Sequence, residues 1–226
     1  MNRVLIAGFL ITPVLVAAPV PKDEAGRITR LYGTIHDPGK GAEFRNTGDT
    51  LRVSVPLGPH LLAHAKGVVN APRVWREIRG NFTVTVKVLF PIRSPTPVKH
   101  TDAIESRAGG GLVVWLDDKN FLTLTRDERE SDGAPGEYFR SECCNKGSIR
   151  GSADYSAPQQ SGFVRVERWE KGLICSYSLD GKKWKPLGSY SAEWGETLKV
   201  GVVAENGFKA PFDIAFDEYK VTLAKN

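Results

Sequence analysis

The chain is dominated by segments in which apolar and polar residues alternate at every second position. Between residues 82 and 88, Phe, Val, Val and Val alternate with Thr, Thr and Lys. This period of two is typical of a β-strand with one buried face. The same pattern predicts further strands over residues 50–55, 111–116, 120–125, 163–169, 173–179, 182–187, 198–205 and 211–223.

Residues that favour turns separate these strands. Asp117-Asp118-Lys119-Asn120 and Glu170-Lys171-Gly172 each predict a tight turn, and Asp180-Gly181 supplies a glycine for the positive φ that a two-residue hairpin needs. Trp184, just beyond that turn, is expected to cover one edge of the core. Only residues 60–66 suggest a helix, and a short one. Many short strands without long helices predict an all-β sandwich or barrel.

Two stretches lack the alternation. Residues 91–110 are rich in Pro, Ser, Thr and Gly, and residues 127–162 contain several glycines and a pair of adjacent cysteines. Both are predicted to be long connections between strands, and long ordered loops often carry function. Neither stretch is interpreted as a linker between two hydrophobic cores, so a single domain is expected.

The N-terminus predicts export. Met1-Asn2-Arg3 is a short basic start, residues 4–16 are mainly apolar, and the small residues Ala17 and Ala18 follow. This order is typical of a secretory signal peptide cleaved next to Ala17 or Ala18. The alternative, an uncleaved anchor, needs about 17–25 apolar residues, more than this run provides. No other stretch could span a membrane, so a secreted or periplasmic protein is predicted. The expected division is a signal peptide over 1–18, an N-terminal segment over 19–41 and one β-sandwich domain over 42–226.

Composition narrows the class of protein. The 226 residues are 41% hydrophobic and 25% charged, which is enough apolar material for a packed core. The formal net charge of +5 is spread along the chain, and acidic residues lie close to the basic ones, as in residues 126–130. Nucleic-acid-binding proteins concentrate Lys and Arg on one face, so this dispersed charge argues against such a partner.

Cys143, Cys144 and Cys175 are predicted to be small buried residues with at most one disulfide among them. Adjacent cysteines make a strained ring, and in a strand they point to opposite faces. Cys175 would then pair with Cys143 or with Cys144, and the sequence leaves that choice open. Neither CxxC spacing nor a histidine cluster accompanies them, so no metal and no cofactor is predicted.

The remaining metal candidates have simpler explanations. His60 and His64 would share a face of a short helix, but two histidines without an intervening glutamate do not make a metalloprotease site. Asp117, Asp118 and Asn120 offer oxygen ligands for calcium, yet a plain turn explains them.

Six segments, taken in order, resemble a known family. They are residues 80–88 (Gly-Asn-Phe-Thr-Val-Thr-Val-Lys-Val), 110–121 (Gly-Gly-Leu-Val-Val-Trp-Leu-Asp-Asp-Lys-Asn-Phe), 164–168 (Val-Arg-Val-Glu-Arg), 177–184 (Tyr-Ser-Leu-Asp-Gly-Lys-Lys-Trp), 200–204 and 212–216. From residue 42 to residue 223 the chain is similar to a bacterial domain family labelled "regulation of enolase", in the concanavalin A-like lectin/glucanase (laminin-G-like) superfamily. This resemblance implies an antiparallel two-sheet jelly-roll β-sandwich and identifies no ligand. Asn81 stands where the family often has Asp, and the segment around Cys143-Cys144 is longer.

Because the superfamily contains glucanases, paired carboxylates are the catalytic signal to expect, about 5–5.5 Å apart in a retaining glycosidase. The glucanase pattern Glu-x-Asp-x-x-Glu is absent, as is the Gly-x-Ser-x-Gly nucleophile elbow. The acidic run at 127–130 lies in loop-like sequence and is expected to be solvated. Asp213 and Asp217 alternate with apolar residues and are expected to point outward. No catalytic residue is therefore predicted.

Aromatic residues are the remaining binding signal, because ligand pockets present aromatic rings with a few polar neighbours. Trp115 and Trp169 are out of phase with the apolar face of their strands, and Tyr138 lies in the long connection. These three are the candidates for facing a ligand, Trp115 and Trp169 as exposed rings. The predicted function is a non-catalytic extracytoplasmic module that binds glycan or another cell-envelope component. The alternatives are a glycoside hydrolase of the superfamily and a structural protein-interaction domain.

Overall fold

The computed structural model describes residues 21–89, 107–131, 134–158, 160–208 and 210–224. The predicted signal peptide and His100 fall outside these ranges. Of the helices inside them, none is long and apolar enough to cross a bilayer. The described elements are α1 (Lys22–Leu31), β1 (Thr34–His36), β2 (Glu43–Thr47), β3 (Thr50–Val55), β4 (Leu62–Ala63), a 3₁₀-helix (His64–Lys66), β5 (Val68–Val69), β6 (Arg73–Arg79), β7 (Phe82–Leu89), β8 (Arg107–Asp117), β9 (Asn120–Ser131), β10 (Ala134–Asn145), β11 (Ser148–Ser156), β12 (Gly162–Trp169), β13 (Gly172–Ser178), β14 (Lys185–Ser191), β15 (Thr197–Asn206) and β16 (Phe212–Leu223).

Two sheets of seven strands each form the fold. Sheet A has the strand order β1-β6-β15-β8-β9-β10-β11, and sheet B has the order β14-β13-β12-β7-β16-β3-β2. Neighbouring strands pair antiparallel, as β8 does with β9 and β7 with β12. The short pair β4-β5 forms a separate hairpin. The predicted all-β, antiparallel two-sheet β-sandwich is confirmed.

The core lies between the inner faces of the two sheets. On β7, every second residue from Phe82 to Val88 is at most 1% exposed. These side chains belong to the same buried cluster as inward residues of β8 and β9, namely Leu112, Val114, Leu122 and Leu124. Burying one such side chain contributes about 1.5–3 kcal/mol, so the cluster is the main source of stability.

The prediction of a long connection over residues 127–162 is wrong. β9 continues to Ser131, and β10 and β11 add two strands at one edge of sheet A. Their outward positions carry charged residues that pair across strands, as Arg129 does with Asp154 at 3.1 Å. Charge-paired positions satisfy a strand face without apolar residues, so the alternation that marks the other strands is weak here. Of residues 91–110, the structure describes only 107–110, which begin β8.

The N-terminal segment supplies a helix and a strand that the alternation does not predict. α1 buries Ile28, which is 0% exposed, and β1 pairs with β6 as the edge strand of sheet A. After the helix, the Tyr32 hydroxyl is shared between the carbonyl oxygens of Asp49 and Phe216, at 2.6 and 2.9 Å. Residues 22–36 are therefore packed against the sandwich.

All three cysteines are free thiols and all are buried. Cys143 and Cys175 lie in the core between the sheets, whereas Cys144 belongs to a second apolar cluster on the outer face of sheet A. The adjacent pair thus points to opposite faces, as predicted. Burial raises the pKa of Cys143 to about 11 and raises that of Cys175 as well. The core thiols therefore remain protonated at neutral pH.

Candidate functional site

The outer face of sheet B carries polar and aromatic side chains in its centre. On β12, Val164, Val166 and Arg168 are buried, so the intervening residues from Phe163 to Trp169 point away from the core. On β7 the same phase turns Thr83, Thr85 and Lys87 outward. β7 and β12 are neighbours and together form the floor of the face.

A groove with a cavity volume of about 400 Å³ lies on this floor. Thr85 and Phe163 form its base. One wall is the turn between β13 and β14, and the other is an irregular part of β16. The lining residues are Thr85, Phe163, Gly181, Trp184, Glu218, Tyr219 and Lys220. We call this feature the sheet B groove.

The Asp180 carboxylate stabilises the first wall of the groove, because it accepts hydrogen bonds from residues of the same turn. Asp180 Oδ1 accepts the backbone N–H groups of Lys182 and Lys183 at 2.8 and 2.7 Å, and the Ser178 hydroxyl at 3.0 Å. The backbone hydrogen bonds, followed by that of Ser178, lower the pKa of Asp180 to about 2. The carboxylate is therefore ionised and fixes the turn at neutral pH.

Gly181 allows this turn to lie directly on an aromatic ring. Its φ of +71° is the positive value expected from the sequence. A Cβ atom at this position would lie 3.0 Å from the Phe163 ring, closer than ordinary van der Waals contact. The turn is longer than a two-residue hairpin, because β13 ends at Ser178 and β14 begins at Lys185.

The second wall is a bulge in β16. The register with β7 shifts between Asp217 and Lys220, and Glu218 has a φ of +50°. The bulge brings Glu218 over the floor, where its Oε1 accepts a hydrogen bond from Lys87 Nζ at 3.1 Å. The same ammonium group lies 5.3 Å from the centre of the Phe163 ring. A cation, an anion and an aromatic ring thus meet at one end of the groove.

Trp184 belongs to the groove and not to the core. The Arg165 guanidinium lies 4.3 Å from the centre of its ring, and Arg165 also forms an ion pair with Glu167 at 3.2 Å. The expectation that Trp184 covers an edge of the core is therefore wrong. The turn from Ser178 to Trp184 directs this ring over the outer face of sheet B, beside Arg165.

The three residues predicted to face a ligand lie on two different sheets. Trp169 is 62% exposed and ends β12 on the same face as the groove. Tyr138 is half-buried on the outer face of sheet A, with the Arg129 guanidinium 4.4 Å from its ring centre. Trp115 also lies on the outer face of sheet A, as its phase predicts. It is not exposed, because only 3% of its surface is accessible.

Other side chains cover Trp115. Its ring packs against Trp75 at 5.5 Å and Phe121 at 5.1 Å, and the buried Arg73 guanidinium lies 4.3 Å from its centre. Burial lowers the pKa of Arg73 to about 10. Leu62 of the β4-β5 hairpin belongs to the same cluster. Trp115 therefore anchors this hairpin on sheet A and offers no open ring face.

The acidic run at 127–130 was expected to be solvated, but part of it is buried. Asp127 is 2% exposed and pairs with Arg107, whose Nη1 lies 3.3 Å from the Asp127 carboxylate and 3.0 Å from that of Glu205. Glycosidases use two carboxylates that flank a sugar in an open cleft. Here both carboxylates are buried and Arg107 is bonded to both, so this pair does not have that arrangement.

The positions of the other polar candidates, Asp117, Asn120 and Asp213, are explained by the predicted turn and by the predicted phase of the strand. Asp117 accepts hydrogen bonds from the Lys119 N–H and the Asn120 amide, which stabilise the β8-β9 turn. On β16, Asp213 is exposed between the buried residues Phe212 and Ile214, as predicted. Within the described ranges, no group of three or more His, Cys, Asp and Glu side chains is placed to hold a metal ion.

No family model matches the chain, and no curated protein matches it in sequence. Solved structures do match. A functionally unknown protein from Saccharomyces cerevisiae has a TM-score of 0.67 and 17% identity, over 85% of this chain and 97% of that one. The GH43 protein BlXynB from Bacillus licheniformis has a TM-score of 0.58 and 19% identity, over 77% of this chain and 33% of that one. A legume lectin-like domain from Entamoeba histolytica has a TM-score of 0.53 and 11% identity, over 88% and 93%.

These similarities define the class of fold. The chain is a concanavalin A-like β-sandwich of the kind seen in a lectin-like domain and in one part of a GH43 protein. It spans about a third of the GH43 protein's length. The resemblance to the "regulation of enolase" family has no matching family model and stays a prediction.

Proposed function

We propose that this chain is an exported, non-catalytic module that binds carbohydrate in the sheet B groove. The observation that carries the proposal is the open groove in which two aromatic rings, Phe163 and Trp184, stand beside charged donors and acceptors. Export follows from the predicted signal peptide. The bound glycan would then be extracellular or part of the cell envelope.

The chemistry of the groove suits a sugar. A sugar ring has apolar C–H faces and a rim of hydroxyl groups, so its site needs aromatic surface together with a few fixed polar groups. Phe163 and Trp184 supply the rings. Lys87 and Glu218, held together at 3.1 Å, supply one donor group and one acceptor group beside them.

The fold comparisons support the same class of ligand. Glycoside hydrolases of the GH43 type and a lectin-like domain share this β-sandwich. The absence of a catalytic role is part of the proposal, and the buried, arginine-bridged state of Asp127 and Glu205 supports it.

Replacing Trp184 should test the site directly. We expect the mature protein to be retained in affinity electrophoresis through gels that contain a soluble polysaccharide, screened over xylan, glucan, mannan and pectin types. Trp184→Ala removes one aromatic face while leaving the β-sheet intact, and should raise the Kd about tenfold, the usual effect of losing a central binding residue.

Ile149→Ala is the matched control, because Ile149 is 52% exposed on β11 of the other sheet. It should leave retention unchanged, and circular dichroism should show that both variants are folded. Free migration of the folded wild-type protein through every gel would refute the proposal. Equal losses for the two variants would refute this location of the site.

A further inference from the structure

The outer face of β12 extends well beyond the sheet B groove. Its outward residues are Phe163, Arg165, Glu167 and Trp169, in that order. A strand advances about 3.3 Å per residue, so the two aromatic residues at its ends lie roughly 20 Å apart. A groove that held one or two sugar rings would not need an aromatic residue at that distance.

Trp169 is firmly placed at the far end. The preceding residue, Arg168, is 7% exposed and points inward, where it donates hydrogen bonds to the carbonyl oxygens of Gly195 and Glu196 at 2.7 and 2.9 Å. With Arg168 fixed inward, Trp169 must point outward, and 62% of its surface is accessible. Ile174 is paired opposite Glu167 on β13 and is 40% exposed, so it adds apolar surface beside the indole.

The path between the two ends is polar, and the charged side chains of β7 and β12 along it are paired. Arg165 pairs with Glu167 at 3.2 Å, and Lys87 pairs with Glu218 at 3.1 Å. Each pair offers hydrogen-bond donors and acceptors without net charge. Although the groove lining also includes Lys220, these paired groups suit the hydroxyl groups of an uncharged sugar chain better than a row of carboxylates or sulfates, each of which would call for an unpaired cation.

We propose that the ligand is a linear, uncharged oligosaccharide of several sugar units that lies along β12 from Phe163 to Trp169. This inference rests on the proposed carbohydrate site and specifies its length and ligand class. The Phe163–Trp184 end would bind a short sugar on its own. Trp169 would contribute only when the chain is long enough to reach it.

Isothermal titration calorimetry with probes of two lengths separates these roles. The probes are xylohexaose and cellohexaose, the matching disaccharides, and hexagalacturonic acid as the charged chain. We expect at least one uncharged hexasaccharide to bind about tenfold more tightly than its disaccharide, and more tightly than the charged chain. Trp169→Ala should raise the Kd of that hexasaccharide about tenfold and leave the Kd of the disaccharide within about twofold. Trp184→Ala should weaken both.

The outcomes distinguish this inference from the proposed function. If the protein is retained by polysaccharides but Trp169→Ala leaves hexasaccharide binding unchanged, the site stands and the extended path is wrong. The same conclusion follows if neither uncharged hexasaccharide binds, or if chain length has no effect. Tighter binding of hexagalacturonic acid would overturn the uncharged class. Failure of the wild-type protein to bind any polysaccharide would refute both proposals together.

Discussion

Asp127 shows how a single residue can be misjudged from its neighbours in sequence. It stands in a run of alternating charge, yet it is fully inside the molecule and bonded to Arg107. Burial raises the pKa of its carboxyl group to about 6; Arg107 opposes this rise, and the nearby Glu205 adds to it. A buried charge of this kind couples stability to pH.

The direction of that coupling follows from the raised pKa. The folded protein holds the Asp127 proton more tightly than the unfolded chain, whose carboxyl has the ordinary pKa of 3.8. The stabilisation is therefore complete below that ordinary value and is lost as the pH rises through about 6. Between about pH 4 and pH 7, we expect the free energy of unfolding of the wild type to fall by roughly 2–3 kcal/mol relative to Asp127→Asn.

Urea unfolding at several pH values measures this difference. Asp213→Asn serves as the control, because it removes a carboxylate from an exposed position of β16. Its pH profile should run parallel to that of the wild type. A constant difference between wild type and Asp127→Asn across the whole range would show that Asp127 is not the group responsible.

At the scale of elements, the turn between β13 and β14 contains a glycine that serves both the turn and the proposed binding groove. Gly181 has a positive φ, and a side chain there would press on the Phe163 ring. Gly181→Ala should therefore destabilise the protein by about 1–2 kcal/mol, the cost of a left-handed conformation for a residue with a Cβ. It should also weaken polysaccharide retention, because the ring must move.

Gly195→Ala is the control for this prediction. A Cβ atom added at Gly195 meets no atom within 4 Å. Its melting temperature and retention should match those of the wild type. If Gly181→Ala behaves like Gly195→Ala in both measurements, the turn does not hold Phe163 in place.

Strands with a regular alternation of apolar and polar residues were predictable, and strands that mix charged with apolar residues, β6 among them, were not. β7 and β12 alternate clearly because one face of each lies in the core and the other in solvent. β10 and β11 were missed because ion pairs such as Arg129–Asp154 replace apolar residues at the edge of sheet A. α1 lies in a mainly polar segment, in which Ile28 is buried and Leu31 partly so, and a helix this short offers few apolar residues from which to infer a helical period.

For the whole molecule, the sequence predicts the sandwich but not the surface that forms the proposed site. Trp169 could be found because its phase on β12 opposes that of Val164 and Val166. Trp184 could not, because the path of a turn depends on hydrogen bonds that period-two alternation does not record. Trp115 was correctly placed on the outer face, but the hairpin that covers it comes from residues far away in the chain. A site between non-consecutive strands requires the sheet order, which no local pattern contains.

The N-terminal segment joins both sheets, so the whole molecule should depend on it. Residues 22–36 bond to sheet B through Glu24, which accepts the Asn46 N–H, and through Tyr32, whose hydroxyl donates to the Phe216 carbonyl oxygen, and they extend sheet A through β1. A domain beginning at residue 42 would lose the buried Ile28 and Tyr32 side chains, each worth about 1.5–3 kcal/mol. It would also lose the hydrogen bonds of the Tyr32 hydroxyl.

We therefore expect the chain of residues 42–226 to be less stable than that of residues 19–226 by up to about 4 kcal/mol, because the conformational entropy of the removed residues offsets part of the lost packing. Urea unfolding followed by tryptophan fluorescence measures the two midpoints. A chain of residues 22–226 retains α1 and β1 and should unfold at the same midpoint as 19–226, which separates the loss of packing from the loss of length. If residues 42–226 unfold at that midpoint too, α1 and β1 add nothing to the sandwich, and the domain begins at residue 42 as its sequence suggests.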